Sequence, residues 1–227
     1  MYKAALFDLD GTLLDTAADL ATAANAMRGH YGMPLLREDV ITSFVGKGME
    51  NLVRRTLLGT LDAQDDPGPD VAEALALFRE HYHRVNGDRV RIFAGVAEGL
   101  RELSDLGLSL GVVTNKPTEF AEPLLEQTGL RGFFDVLVCG DTCERKKPDP
   151  MPVVHACELL GVEPGHTVLV GDSVNDALAG RAAGTAVLVV PYGYNEGRDV
   201  SKLDVDAVVR DVPQMVAWVR QVQNPPA

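Results

Sequence analysis

Two hydrophobic rhythms alternate along the chain. Short, largely apolar runs at 4–7, 108–113, 134–138, 167–170 and 186–190 predict buried strands, with a further edge strand at 207–209. Between them, apolar residues recur at helical spacing: Val96, Leu100, Leu103 and Leu106, then Phe120, Leu124 and Leu125. Further helices are predicted at 150–160 and 174–183, and Pro117 suits a first helical turn. Strands alternating with helices imply a parallel sheet, so the fold class is α/β, a Rossmann-like doubly wound core. One stretch breaks the alternation. From 16 to 87 the pattern is helical only, through Leu20, Ala23, Ala24, Met27 and Tyr31, a short helix over 37–44, then Met49, Leu52, Val53 and Leu57, and Leu75, Phe78, Tyr82 and Val85. This predicts a helical cap at 16–87, inserted into a core made of 1–15 and 88–227.

The strand ends carry the chemistry. Residues two apart in a strand share a side, so Asp8 and Asp10 project together beyond the first strand, followed by Gly11 and Thr12. The next strand delivers Thr114, Asn115 and Lys116, and the fourth delivers Gly171, Asp172 and Ser173, with Asp176 one helical turn on. Ligands of open α/β sheets bind outside these strand ends. Carboxylates crowded from two strands need a positive partner. A hard cation such as Mg²⁺ is one candidate, and Lys147, aimed by the following Pro148, is a second.

Composition narrows the class. With 227 residues, 46% of them hydrophobic, the chain fills a real core. A formal net charge of −12 excludes a nucleic-acid footprint. No apolar run reaches a membrane span. Cys139, Cys143 and Cys157 show no zinc spacing, and no cleavable signal segment is seen, so a cytoplasmic location is expected. His81 and His83, two apart on a helix, do not share a face as ligands would. Gly46-Lys47-Gly48 lacks the glycine-rich lead and following hydroxyl of a P-loop.

Four segments together resemble the signatures of the haloacid dehalogenase superfamily: Asp8-Leu9-Asp10-Gly11-Thr12, Thr114-Asn115, Lys147-Pro148 and Gly171-Asp172-Ser173-Val174-Asn175-Asp176. Within it, 113–118 and 192–195 resemble the bacterial phosphoglycolate phosphatases. The resemblance implies a nucleophile at Asp8 and an acid–base at Asp10. It implies Mg²⁺ held by Asp8, Asp172 and the Asp10 carbonyl, with Asp176 ordering the waters of the metal. Thr114, Asn115 and Lys147 would hold phosphate oxygens. Asp10 argues against the halide-releasing relatives, which need no acid. It argues equally against the phosphonate-cleaving ones, for which Lys47 would be a Schiff base. The substrate expected is a small phosphorylated acid, 2-phosphoglycolate first, with a phosphosugar, pyrophosphate or a sugar phosphomutase reaction as alternatives and a non-catalytic binding module as the rival class. Its carboxylate is expected to meet Lys47, in the loop opening the helix from Met49, or Arg54 further along it. Monomer and homodimer both remain open.

Overall fold

The computed structural model describes residues 1–223. The chain runs through β1 (Ala4–Phe7), β2 (Leu14–Asp15), helices α1 (Ala17–His30), α2 (Glu38–Thr42), α3 (Met49–Leu58) and α4 (Val71–Val85), and then β3 (Arg91–Ile92). It continues as α5 (Val96–Asp105), β4 (Ser109–Val113), α6 (Thr118–Gln127), β5 (Val136–Val138) and α7 (Met151–Leu160). The last elements are β6 (Thr167–Gly171), α8 (Val174–Ala183), β7 (Ala186–Val189), β8 (Ala207–Val208) and α9 (Val212–Gln223).

β1 is buried along its whole length because helices cover both faces of the sheet, which is why its sequence does not alternate. Ala5 and Phe7 pack into one apolar layer with Leu100, Leu124 and Val216, while Leu6 faces the opposite layer with Val153, Ala156 and Ala179. The sheet order is β5-β4-β1-β6-β7-β8, every pair parallel. Register sets the site. Phe7 is level with Val112 on β4 and with Val170 on β6. Asp8, Thr114 and Asp172 therefore leave three adjacent strands at one edge.

Helices α1 to α4 form the cap around their own apolar cluster, which includes Met27, Ile41, Val53, Phe78 and Tyr82 and is joined by Phe120 and Tyr194 from the core. Its two ends are closed by an antiparallel ribbon in which Leu14 faces Ile92 and Asp15 faces Arg91. Asp19, buried in the first turn of α1, accepts the N–H groups of Gly87 and Arg89 at 3.0 and 3.1 Å and so ties the returning strand to the departing helix.

Several details depart from the sequence reading. The β2–β3 ribbon, two residues per strand, is too short to show a periodicity. Helix α9 is an element beyond those the pattern predicts, with Val212, Met215, Val216 and Val219 buried at helical spacing. It lies against α5, where a Cβ on Gly99 would stand 2.5 Å from Val212 Cγ1, so close packing there requires glycine. Pro117 precedes α6 as its N-cap, with extended backbone, instead of entering the first turn. Leu106 caps α5 and is substantially exposed, since the helix ends at Asp105 before the buried stripe returns. No helix among the described residues is long and apolar enough to cross a membrane.

Candidate active site

Three buried carboxylates meet at the sheet edge. Asp8, Asp172 and Asp176 each place an oxygen within 4.8 Å of the others. One ammonium faces them: Lys147 Nζ lies 2.9 Å from Asp8 Oδ1 and 2.6 Å from Asp176 Oδ1, and donates to the Val113 carbonyl at 2.6 Å. The second oxygen of Asp176 accepts the Ser173 hydroxyl at 2.6 Å and its N–H at 3.1 Å, which fixes the start of α8. Asp172 accepts the Thr12 hydroxyl at 3.2 Å and the Tyr194 N–H. The glycines here make room. A Cβ on Gly11 or Gly193 would come within 2.3 Å of Asp172 Oδ2.

The cluster is short of positive charge. Burial pushes the Asp8 carboxyl up to about 6, with Lys147 opposing the rise and Asp176 and Asp10 adding to it. Asp172 is also raised, by burial and by its carboxylate neighbours Asp176 and Asp8. Burial works against the Lys147 ammonium, but Asp176 and Asp8 outweigh it and hold its pKa above the usual lysine range. An all-oxygen donor set of like charge, buried and undercompensated, fits a hard divalent cation of the Mg²⁺ type.

Asp10 is held apart from this cluster. Its carboxylate accepts the Thr16 hydroxyl at 2.7 Å and faces Lys116 Nζ at 3.0 and 3.1 Å. The metal role expected for Asp10 through its backbone carbonyl leaves this side chain free for other chemistry. Lys116 also donates to the hydroxyl of Tyr82, on cap helix α4, at 2.7 Å. Burial again opposes the ammonium, and Asp10 and Tyr82 overcome it, raising its pKa. Sequence reasoning placed Lys116 at a strand end without assigning it a task. Its partner Tyr82, 34 positions earlier, gives no sequence signal.

Thr114 accepts the Lys116 N–H at 3.2 Å and lines the crevice. The Asn115 side chain departs from expectation. Its amide donates to the Lys147 carbonyl and to the cap carbonyl of Gly46, both at 2.9 Å, and accepts the Lys147 N–H at 3.0 Å. With these bonds made, its side chain positions Lys147 and docks the cap loop. Asn175 reaches the same Gly46 carbonyl at 3.3 Å.

The two cap cations also fall elsewhere. Lys47 Nζ pairs with Glu196 Oε1 at 3.2 Å, in the loop after β7, and does not line the crevice. Arg54 donates to the carbonyls of Ala63 and Asp65, at 2.8 Å for the latter, on a separate surface depression. One helical step turns a side chain by about 100°, so its neighbour Arg55 points inward instead. Arg55 is buried, 2.7 Å from the same Glu196 oxygen and bonded to the carbonyls of Phe44 and Leu61.

Between cap and core lies a cleft that opens to solvent. The core side presents Asp8, Asp10, Thr114, Asn115, Lys116 and Pro117; the cap side presents Leu20, Val45, Met49, Leu52 and the backbone of Gly46 and Gly48. The cap side chains are thus apolar, and the polar side chains all belong to the core.

Fold and site together define a capped α/β enzyme with an acidic, cation-seeking crevice. The family model of haloacid dehalogenase-like hydrolases matches residues 5–190, and the chain belongs to that family. A phosphoglycolate phosphatase from Thiobacillus denitrificans is 46% identical over 217 residues, covering 96% of this chain and 95% of its own. One from Nitrosospira multiformis is 50% identical over 207 residues, 91% of each chain. Among solved structures, a predicted phosphoglycolate phosphatase from Haemophilus somnus superposes with a TM-score of 0.87 at 28% identity, covering 96% of this chain and 98% of that one.

Proposed function

We propose that the chain is a Mg²⁺-dependent phosphatase that hydrolyses 2-phosphoglycolate to glycolate and phosphate through an aspartyl-phosphate on Asp8. The observation that carries the substrate is the cleft. A phosphosugar would set hydroxyls against the side chains of Leu20, Val45, Met49 and Leu52, which offer no hydrogen bond, a loss of about 1–3 kcal/mol for each buried group left unpaired. A two-carbon acid has no hydroxyl to lose once its ester oxygen and carboxylate are met from the core side. The relatives named for this substrate support the same reading. A non-catalytic module is disfavoured because Asp8, Asp10, Lys147 and Asp172 all retain their contacts.

The residues divide the reaction between them. Asp8 attacks phosphorus, and an Asp8–phosphorus bond forms as the bond to the glycolate oxygen breaks. Asp10 gives that oxygen a proton, then takes one from the water that attacks phosphorus and releases phosphate from Asp8. Lys147 keeps Asp8 oriented and offsets charge on the transferring group, and the Thr114 hydroxyl faces its oxygens. Asp8, Asp172 and the Asp10 carbonyl would hold Mg²⁺, with Asp176 beside them. When bound, the ion supplies the positive charge that the acidic cluster and the phosphoryl oxygens lack. The cap, docked through Gly46, keeps water from the acyl-phosphate until glycolate leaves. Three free cysteines accord with the reducing cytoplasm, where we place the enzyme.

The test is a panel of phosphorylated metabolites assayed for kcat/KM with Mg²⁺. The reading expects 2-phosphoglycolate to lead by tenfold or more, a factor of about 1.4 kcal/mol. A phosphosugar or pyrophosphate ahead of it would overturn the substrate.

A further inference from the structure

We infer that Lys116 is the group that recognises the carboxylate of the substrate, a role the sequence pattern directed to Lys47 and Arg54. The inference rests on the phosphoglycolate reading and deepens it.

Charge leaves few candidates. A carboxylate buried in the cleft needs a cation or several donors, and the cap wall of Leu20, Val45, Met49, Leu52 and the backbone of Gly46 and Gly48 supplies no cationic side chain. Lys147 has its three hydrogens committed to Asp8, Asp176 and the Val113 carbonyl. Arg55 is enclosed by Glu196 and two carbonyls. Lys47 pairs with Glu196, and Arg54 opens on another surface. Among the described residues, Lys116 is the cation that lines the cleft.

Distance makes the same selection. Lys116 Nζ stands 3.0 Å from the carboxylate of Asp10, the group proposed to protonate the leaving oxygen. In phosphoglycolate one methylene separates that oxygen from the carboxylate. A donor already bonded to the acid therefore lies within one hydrogen bond of the substrate carboxylate once the ester oxygen meets Asp10. Asp10 contacts the ammonium through both oxygens, at 3.0 and 3.1 Å, so a substrate oxygen can take over one of these contacts without leaving the other unmade. Tyr82 completes the arrangement. Its hydroxyl, 2.7 Å from Nζ on the side of α4, fixes the ammonium while the cap is docked, so carboxylate recognition depends on closure.

Binding of uncleavable analogues separates this role from catalysis. 3-Phosphonopropionate keeps the phosphoryl group and the carboxylate; propylphosphonate lacks the carboxylate. With Mg²⁺ present, calorimetry on the wild-type chain should show tighter binding of 3-phosphonopropionate. Lys116→Met should lose about tenfold or more on that ligand, the scale of a lost hydrogen bond to a charged group, and less than about threefold on propylphosphonate. Lys47→Ala should keep the full preference. Equal losses on both ligands in Lys116→Met would reduce Lys116 to a support for Asp10. A preference lost in Lys47→Ala would return the role to the cap loop, and that arm stands even where Lys116→Met does not fold. Wild-type chain that prefers the carboxylate ligand yet fails to hydrolyse 2-phosphoglycolate would contradict the reaction and not the recognition. No preference in the wild type would overturn the inference directly.

Discussion

Lys47 of the cap and Glu196 of the core are joined at 3.2 Å across the boundary between the two units. Glu196 also holds Arg55 at 2.7 Å and Arg198 at 3.2 Å, and it adopts φ 57°, a left-handed backbone that is uncommon for a residue with a Cβ. One core carboxylate thus gathers two cap cations.

Removing that charge should loosen the cap. Glu196→Gln should lower stability by about 2 kcal/mol, below the usual cost of breaking a buried pair because Lys47 is partly solvated, or roughly 4–8 °C in Tm. The pH dependence has a definite sign. Burial would raise the Glu196 carboxyl, but Arg55 and Lys47 hold it below its ordinary value. Its contribution is therefore present above the unfolded pKa of about 4.3 and disappears as pH falls through the folded value. Melting curves of wild type and variant should differ at pH 7 and converge in acid; a constant gap would dissociate the effect from the charge.

The two aspartates of β1's end should separate by leaving group. Asp8→Asn should abolish turnover and phospho-enzyme formation on every substrate. Asp10→Asn should cost about 10²–10⁴-fold on phosphoglycolate, the usual size of general acid catalysis, and far less on an aryl phosphate whose phenolate needs no proton for the first step. Equal losses on both substrates, measured as burst kinetics, would refute the assignment.

Metal binding should be visible without turnover. Mg²⁺ should raise Tm in proportion to RT ln(1 + [Mg²⁺]/Kd), and Asp172→Asn should remove the shift. Activity should vanish with chelator and return with Mg²⁺, while Ca²⁺, with a larger and looser shell, should support it poorly. An unchanged melting temperature over millimolar Mg²⁺ would count against the acidic cluster as a metal site.

Gly193 should tolerate no side chain. A Cβ there would lie 2.3 Å from Asp172 Cβ and 2.4 Å from the Gly11 carbonyl. Gly193→Ala should cost about 1–3 kcal/mol as overpacking and, by displacing Asp172, should reduce the Mg²⁺ response together with kcat. Wild-type metal response in this variant would show that Asp172 moves freely.

The core half of the site was legible because strand-end geometry is local. Once Asp8 and Asp10 end a buried strand and Asp172 ends another, parallel pairing brings them to one edge. The cap half was not. Whether Arg54 or Arg55 enters is decided by a 100° step relative to a partner, Glu196, some 140 positions later in the chain. Asn115 was legible as a residue of the crevice but not as the clasp on Gly46, since a side-chain amide satisfies ligand or backbone equally well. Lys116 stood in plain sight beside Thr114, yet its meaning depends on Tyr82 and on the apolar side chains of the cap wall. Such facts arise only when two separate hydrophobic clusters close on each other.

The ribbon that pairs Asp15 with Arg91 has a consequence for how the molecule can be taken apart. Its strands are antiparallel and adjacent, so a turn of two residues is sufficient to join them. Everything from Thr16 to Val90 is, in topological terms, an overgrown hairpin loop. Replacing it with Asn-Gly would leave the six-stranded sheet and its register intact, while exposing the apolar patches of Phe120 and Tyr194 that now face the cap cluster. The sheet edge in that sense keeps both the nucleophile and Lys116, while the insertion at one hairpin supplies Tyr82 and the apolar side chains that close over them, so a different helical insertion would change what the same nucleophile meets.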